Sequence, residues 1–395
     1  MIYSPSSAKE ENPQWRPVSE TEFSHETSKF RGHLLRQKGT LRLLILGTVV
    51  GILLATLWPF NPFPRNRVDW LRGTNGVKFD TPGLILSKSP LIVVSRSQSC
   101  SLELLIQPAN TESVHPILEF YDPHGNKGFT VRQWQEGLVV SHHVVDTRGK
   151  LTAEKVDLID VLRPQQPLLL TITSDSNGMV VYFNGDRPRQ YPTFVISPGE
   201  LAGEIVLGTS AENYVPWVGE VRGLAVYSSK LSQDEARRHY DNWTAGRSSA
   251  SDENTIALYP FSERTGREIR SAIPSAPDLV IPAIFTVPYK KMLKFAVDEF
   301  QATWSYFGDL LSNIAGFAPL GFLLCAYLSI SKGKKHAFYA ILAGAALSFM
   351  IEVLQFYIPP RGSGITDVIT NTTGTALGAL LTQSRLGRRI LQMLI

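Results

Sequence analysis

The sequence predicts a multi-domain membrane protein: a four-helix transmembrane bundle, with an all-β sandwich inserted between its first and second spans. Two observations predict this fold class. Long apolar runs occur near residue 50 and again towards the C-terminus, and runs of this kind are typical of membrane helices. The long region between them contains short apolar or alternating segments separated by turn residues, which is typical of β-sandwiches.

The composition excludes several other classes. The chain has 395 residues, of which 43% are hydrophobic and 19% charged, so it is too apolar to be disordered as a whole. Its net charge of +4 comes without a basic block, and no nucleic-acid partner is expected. Cys100 and Cys325 are the only cysteines, too few for a disulfide scaffold or a multi-cysteine zinc site.

Four runs are long enough to cross the hydrocarbon core, which takes about 20 helical residues. The first two carry no charge, the third contains Glu352, and the fourth contains Asp367 near its start. The first run follows a long polar segment and closes with Trp58-Pro59 rather than a small-residue cleavage site, so we expect an anchor and not a signal peptide. The predicted spans are 43–60, 310–330, 337–358 and 365–382.

Basic residues in the short loops predict the orientation, because cytoplasmic loops are enriched in Lys and Arg. Both termini are expected in the cytoplasm, with the sandwich outside. The expected location is a cytoplasmic (inner) membrane. The basic residues that support this orientation are Arg31, Arg36, Lys38, Arg42, Lys332, Lys334, Lys335, Arg385, Arg388 and Arg389.

The remaining segments complete the expected organisation. We expect a disordered cytoplasmic tail at the N-terminus, an amphipathic helix on the outer leaflet after the sandwich, and a basic cytoplasmic tail at the C-terminus. The expected domains are 1–30 (tail), 43–60 (first span), 68–284 (sandwich), 288–304 (interfacial helix), 310–382 (three spans) and 383–395 (basic tail).

The sandwich region carries an ordered set of motifs. Asn184-Gly185-Asp186 is a hairpin turn signal, and it is followed by a strand that runs from Trp217 to Tyr227 and by a Leu-Ser pair before a short helix. This order resembles the LamG-like, concanavalin A-like jelly roll, and the resemblance implies a fold whose members bind sugars, proteins or no known ligand. On this basis Asn213, Tyr214 and Trp217 are candidates for a glycan-binding loop. The alternative is that Trp217 is a core residue.

Polar residues within the spans are the second set of candidates, since ionisable groups in hydrocarbon are costly and often functional. They occur in acid–amide pairs spaced i, i+4 or i, i+3, which share a helix face. With the predicted topology, all fall near the outer third of the bilayer and define one outward-facing polar pocket. Its candidate residues are Asp309, Asn313, Glu352, Gln355, Arg361, Asp367 and Asn371. The alternative is that these groups only tie helices together.

The same residues carry a family resemblance. The pattern Asp-x-x-x-Asn-x-x-Gly occurs at 309–316 and again at 367–374, with Glu-x-x-Gln at 352–355 between them. This combination resembles the VanZ-like family, named for a protein linked to teicoplanin resistance. The resemblance implies a bacterial four-helix membrane module with a link to glycopeptide antibiotic tolerance, but it supplies no biochemical activity. The inserted sandwich departs from the minimal family pattern.

Three hypotheses about function follow. The first is a binding protein that holds the head group of an envelope lipid or a lipid-linked saccharide, while the sandwich binds a cell-envelope polysaccharide or a protein. The second is a metal-dependent enzyme acting on a lipid-linked substrate, since three carboxylates could hold a divalent ion. The third is a scaffold that only anchors the sandwich. The sequence assigns no catalytic residue, metal or cofactor.

Overall fold

The computed structural model describes most of the chain and divides it into two units. The helical unit comprises Met1–Trp58, Leu293–Leu354 and Ser363–Ile395, and the sandwich unit comprises Pro59–Met292 and Gln355–Gly362. The predicted tail at 1–30 lies outside the described residues. The described residues are 38–94, 98–122, 128–145, 151–247, 253–300, 302–330 and 335–394.

The sandwich unit contains two antiparallel sheets, each with eight strands among the described residues. Sheet I has the order β1-β2-β13-β4-β9-β10-β11, with β14 also pairing with β13, and sheet II has the order β15-β16-β3-β12-β5-β6-β7-β8. The all-β sandwich predicted from the sequence is therefore confirmed. The strands are β1 Val68–Trp70, β2 Val77–Phe79, β3 Ile85–Ser87, β4 Cys100–Pro108, β5 Pro116–Tyr121, β6 Gly128–Trp134, β7 Gly137–Val145, β8 Leu151–Leu158, β9 Leu168–Asp175, β10 Gly178–Phe183, β11 Asp186–Tyr191, β12 Glu204–Leu207, β13 Gly219–Tyr227, β14 Thr255–Tyr259, β15 Glu268–Ile269 and β16 Leu279–Val280.

The Asn-Gly signal produces the turn that it predicts. Phe183 pairs with Asp186 across β10 and β11, so Asn184 and Gly185 form a two-residue loop. Both have positive φ, 54° and 73°, as a type I′ turn requires. The Asn184 side chain also accepts a hydrogen bond from the backbone of Leu169, at 2.9 Å, which joins this turn to the start of β9.

Helix α1 (Lys38–Leu57) belongs to the helical unit, whereas helix α2 (Gln233–Thr244) packs on the outer face of sheet I. Ser232 and Glu235 form a capping box at the start of α2, which satisfies free backbone N–H groups. Below α2, the fully buried Glu103 carboxylate accepts hydrogen bonds from Tyr227 Oη (2.9 Å) and Trp243 Nε1 (3.0 Å). A buried carboxylate is stable only with such partners, so this residue fixes α2 on the sheet.

His142 is a buried titratable residue of sheet II. Its Nδ1 lies 3.1 Å from a Glu200 carboxylate oxygen and its Nε2 lies 3.5 Å from one of Glu154; both are charge pairs without the alignment of a hydrogen bond. Burial works to lower the pKa of His142, but the two carboxylates outweigh it and raise the pKa above 6.5. The protonated ring is therefore bound more favourably in the folded sandwich than in the unfolded chain.

The helical unit contains α1 and five further helices among its described residues. These are α3 Ala296–Glu299, α4 Trp304–Leu328, α5 His336–Phe356, α6 Ile365–Gln383 and α7 Arg385–Leu394. Three of the described helices, α1, α4 and α5, are long and apolar enough to cross a membrane. Helix α6, which covers the predicted fourth span, is not among these three, because Thr and Asn residues reduce its apolar character.

Two predicted segments take a different form. The interfacial helix expected at 288–304 is wrong: only Ala296–Glu299 is helical before α4 begins at Trp304. Leu293 has a φ of 50°, which interrupts a helix, and Lys294 pairs its backbone with Gly364 in an isolated β-bridge. At the C-terminus, most of the expected basic tail forms helix α7, whose Leu391 is fully buried against apolar residues of α1 and α4.

Helices α4 and α6 approach each other at backbone distance. A Cβ atom added at Gly374 would collide with the backbone of Ile314, and one added at Gly378 would collide with the backbone of Ala318. We call this contact the glycine seam. Thr382 Oγ1 also donates a hydrogen bond across it to the Phe322 carbonyl, at 3.0 Å. Small residues commonly allow this kind of approach between membrane helices.

We expect Gly378→Ala to destabilise the helical unit by about 1–3 kcal/mol, the usual effect of overpacking, because neither backbone can yield to the added methyl group. The matched control is Gly316→Ala on α4, where an added Cβ has nothing within 4 Å. Thermal unfolding of the purified protein in detergent should separate the two variants. Equal stability of both would contradict the glycine seam.

We expect the sandwich to lose stability as the pH rises through the folded pKa of His142. Since that pKa is raised from its ordinary value, the contribution of the protonated ring is complete below the unfolded pKa of about 6.5 and is lost as the pH rises through the folded pKa. His142→Gln should remove this component from unfolding midpoints measured at about pH 5.5–8.5. His143→Gln, at the exposed neighbouring position, is the control. An unchanged pH profile for His142→Gln would contradict the charge pairs.

Candidate functional site

The start of helix α6 is capped by carboxylates from other segments. Its N-cap residue, Gly364, has no side chain to bind the free N–H groups of the first turn. The Glu352 carboxylate of α5 instead accepts a hydrogen bond from the Gly364 backbone N–H at 2.8 Å, and Glu299 of α3 accepts one from the Thr366 backbone N–H at 3.3 Å. Negative charge at this end of a helix is favoured by the helix dipole.

Gly364 is also needed for close approach. A Cβ at this position would collide with the Glu299 carboxylate, so the absence of a side chain brings this acid against the backbone. Asp367 adds a third carboxylate in the first turn of α6. The three acids, Glu299, Glu352 and Asp367, thus meet at one helix end.

Amides join this helix end to its neighbours. Asn313 Nδ2 of α4 donates a hydrogen bond to Asp367 Oδ1 at 2.8 Å, and Asn371 Nδ2 donates one to Ser348 Oγ of α5 at 2.9 Å. Asp367 and Asn371 are spaced i, i+4 on α6, as Ser348 and Glu352 are on α5, so each pair shares a helix face. Helix α6 therefore presents one polar stripe to α4 and α5. Together with the acids and the N-cap residue described above, these side chains form a set of seven residues that we call the acid–amide cluster. Its members are Glu299, Asn313, Ser348, Glu352, Gly364, Asp367 and Asn371.

Burial differs along this cluster. Glu352 is 1% exposed and Asn371 is 3% exposed, whereas Asn313 and Asp367 are half-buried. Asn371 Oδ1 is buried without a hydrogen-bond partner in the described part of the chain. An unsatisfied buried oxygen of this kind is costly, and a ligand that donates a hydrogen bond would relieve the cost.

The cluster contains three carboxyl groups. Glu299 and Asp367 lie near enough to act electrostatically on Glu352, and none of the ion pairs between described residues involves any of these three acids. Such a site favours hydroxyl or ammonium donors over phosphate. The described residues contain no group of three or more His, Cys, Asp or Glu side chains placed to hold a metal ion, so the metal hypothesis gains no support.

The structure brings together only part of the predicted pocket. Asn313, Glu352, Asp367 and Asn371 belong to the acid–amide cluster. Asp309 lies near enough to act electrostatically on Asp367, but it is exposed on the first turns of α4 and is not one of the hydrogen-bonded residues of the cluster. Gln355 and Arg361 fall in the segment that belongs to the sandwich unit, where Gln355 is buried at the end of α5.

Three cluster residues were missed by the sequence analysis. Ser348 precedes Glu352 by four residues, so helical periodicity could have found it. Gly364 directly precedes the fourth predicted span, where an N-cap is expected. Glu299 gave no usable signal, because it lies in the segment that was interpreted as an interfacial helix.

Within the sandwich unit, Lys290 caps the C-terminal end of α5. Its Nζ donates hydrogen bonds to the carbonyl oxygens of Gln355 (2.9 Å), Phe356 (2.7 Å) and Ile358 (2.8 Å). The last carbonyls of a helix lack intrahelical partners, and a cation is favoured at this negative end of the dipole.

The proposed glycan-stacking role of Trp217 is wrong. The side chain is fully buried, its Nε1 donates a hydrogen bond to Gln133 Oε1 at 2.6 Å, and its ring centroid lies 6.0 Å from that of Phe79. It is a core residue between the sheets. Tyr214 packs edge-on against Phe285, which leaves Asn213 as the exposed member of the three candidates.

The C-terminal part of the chain is similar to a known family. Residues 247–386 match the VanZ/LLP1 family model. This match confirms the family resemblance carried by the acid–amide motifs, and three helices of the described residues are long and apolar enough to span a bilayer.

Part of the chain is also similar to a named protein. The chain is 37% identical over 83 residues to protein VanZ of Enterococcus faecium, a match that covers 21% of this chain and 48% of VanZ. The matched part thus spans about half the length of that relative.

Solved structures give partial alignments only. A Bacteroides ovatus protein proposed to bind carbohydrate aligns with 13% identity and a TM-score of 0.38 over 55% of this chain and 62% of that chain. The receptor binding domain of botulinum neurotoxin D aligns with 17% identity and a TM-score of 0.33 over 45% and 46% of the two chains. A heptameric pentraxin from Limulus polyphemus gives 13% identity and a TM-score of 0.32 over 55% and 93%.

We expect Asn313 and Asp367 to be energetically coupled. In a double-mutant cycle with Asn313→Ala and Asp367→Ala, the coupling should be about 0.6 kcal/mol, the average for such bonds between membrane helices. Unfolding of the full-length protein in detergent measures it. Pairing Asn313→Ala with Thr373→Ala, an exposed site whose hydroxyl bonds within its own helix, should give no coupling; an equal value for both pairs would count against the contact.

Proposed function

We propose that this chain is a multi-pass bacterial membrane protein whose acid–amide cluster binds the polar head of an envelope lipid or a lipid-linked saccharide. The observation that carries the proposal is the convergence of Glu299, Glu352 and Asp367 at the start of α6 without a neutralising cation among the described ion pairs. A purely structural set of buried charges would be expected to contain its own counter-ion.

The chemistry of the cluster selects the head group. Carboxylates accept hydrogen bonds from hydroxyl and ammonium groups, and the buried Asn371 Oδ1 is an additional acceptor. Saccharide hydroxyls and amines fit these acceptors.

A four-span topology forms part of the proposal. Helix α6 is the most polar of the four, but the glycine seam and the acid–amide cluster direct its polar residues at α4 and α5, as is usual for polar residues in membrane helices. The basic residues of α7 and of the α4–α5 connection favour a cytoplasmic location for both. With that orientation the sandwich is extracytoplasmic and is available to a cell-envelope glycan or protein.

The link to glycopeptide tolerance belongs to the proposal on the strength of the family resemblance. The scaffold alternative requires only that the helices anchor the sandwich, and it leaves the unneutralised acids without a role. The enzyme alternative requires turnover of a lipid-linked substrate that depends on a divalent metal.

Lipids and glycans that co-purify with the protein should depend on the acids of the cluster. We expect mass spectrometry to find a polar lipid or lipid-linked saccharide with the wild type, and about tenfold less with Glu352→Gln or Asp367→Asn, since a hydrogen bond to a charged group is worth roughly that factor or more. Both changes preserve side-chain shape, and thermal unfolding checks that the variants are folded.

Asp234→Asn is the control for replacing a carboxyl group by an amide, because this acid is exposed on α2 of the sandwich unit. It should retain the wild-type amount of bound material. The same lipid profile in all four proteins would refute head-group binding by the cluster.

A further inference from the structure

The sandwich unit contains a pocket that none of the functions discussed above uses. Its volume is about 260 Å³, close to the lower end of the roughly 300–1,000 Å³ range of small-molecule sites. It lies on the outer side of sheet I, between the β1–β2 turn and the end of α2. Residues from both contribute to its lining, among them Asn75 from the turn, and Trp243 and Arg247 from the end of α2 and just beyond it.

The floor of the pocket is apolar and firmly held. Leu105 of β4 and Trp243 form part of it, and each is 6% exposed. The Trp243 indole N–H is occupied by the buried Glu103, and the ring lies against Gly223, where no side chain intervenes. The floor therefore offers a fixed apolar patch, of which Leu105 and Trp243 each expose only a small part.

The rim is polar and positive. The Arg222 guanidinium is paired with Glu220 (2.6 Å) and hydrogen-bonded to Gln107 (2.9 Å), so its charge is neutralised and its position fixed. Arg247 is exposed, and its guanidinium makes no ion pair or hydrogen bond with the described residues. Its charge is thus available to a ligand, and a guanidinium binds carboxylate or phosphate through two parallel N–H groups.

We propose that this pocket binds one anionic sugar unit, with its ring on the Leu105–Trp243 floor and its carboxylate or phosphate on Arg247. The inference rests on the proposed glycan-binding role of the sandwich and names its location and ligand class. It replaces the candidate site around Trp217, whose ring is fully buried. The size of the pocket matches a single sugar unit rather than a long chain.

The test is isothermal titration of the full-length protein in detergent with three probes. Methyl glucuronide carries a carboxylate, glucose 6-phosphate carries a phosphate, and methyl glucoside is neutral. We expect the wild type to bind at least one anionic probe more tightly than the neutral one. Arg247→Ala should weaken that binding about tenfold or more, as expected for loss of a charge-assisted contact. Arg247→Lys should give an intermediate loss of affinity, since lysine keeps the positive charge but lacks the two parallel N–H donors of the guanidinium.

Arg238→Ala is the matched control, because Arg238 is an exposed arginine of α2, the helix that precedes Arg247, and it does not line the pocket. Binding of an anionic probe that survives Arg247→Ala would overturn the pocket assignment and leave glycan binding by the sandwich intact. Equal affinity for all three probes would overturn the preference for an anion. No binding of any probe would refute the inference, while head-group binding by the helical unit is judged independently by the co-purified lipids.

Discussion

Helices α4 and α6 touch backbone to backbone along the glycine seam, and the candidate site of the helical unit depends on that contact. Gly374 and Gly378 leave no space for a side chain between the two helices. This closeness brings Asn313 within hydrogen-bond distance of Asp367, and it packs a helix rich in Thr and Asn against a protein neighbour. A wider spacing would break these contacts and leave the polar groups without protein partners.

The sandwich meets a related constraint in another way. Glu103 is fully buried on sheet I, and three side chains from β13 and α2 surround its carboxylate: Tyr227, His239 and Trp243. This network holds the helix on the sheet and, with it, the tryptophan that forms the pocket floor. In both units a buried acid thus determines where a neighbouring helix lies. In the helical unit, however, the acids have no basic partner among the described ion pairs, which is why we place a ligand there.

Much of the fold was predictable, because its signals are local. The Asn184-Gly185 turn, the strand that ends at Tyr227 and the Ser232 cap each follow from short motifs, and the apolar runs identify the helices. The features that could not be predicted depend on contacts between residues far apart in the sequence. Glu299 reaches the start of α6 because the chain forms a β-bridge between Lys294 and Gly364. For Trp217 the sequence left both a core position and a glycan-binding loop open, and the structure confirms the core position.

The glycine seam also limits how this chain can vary over evolutionary time. Gly374 and Gly378 each contact backbone atoms of the neighbouring helix. Protein cores usually accommodate a larger residue by repacking the surrounding side chains, but a contact with the backbone leaves no side chain to repack. Gly316 faces open space and is under no such restraint, although it belongs to the same repeated motif as Gly374. Two positions that look equivalent in the sequence are therefore subject to different selection, and the internal repeat should decay unevenly between its halves.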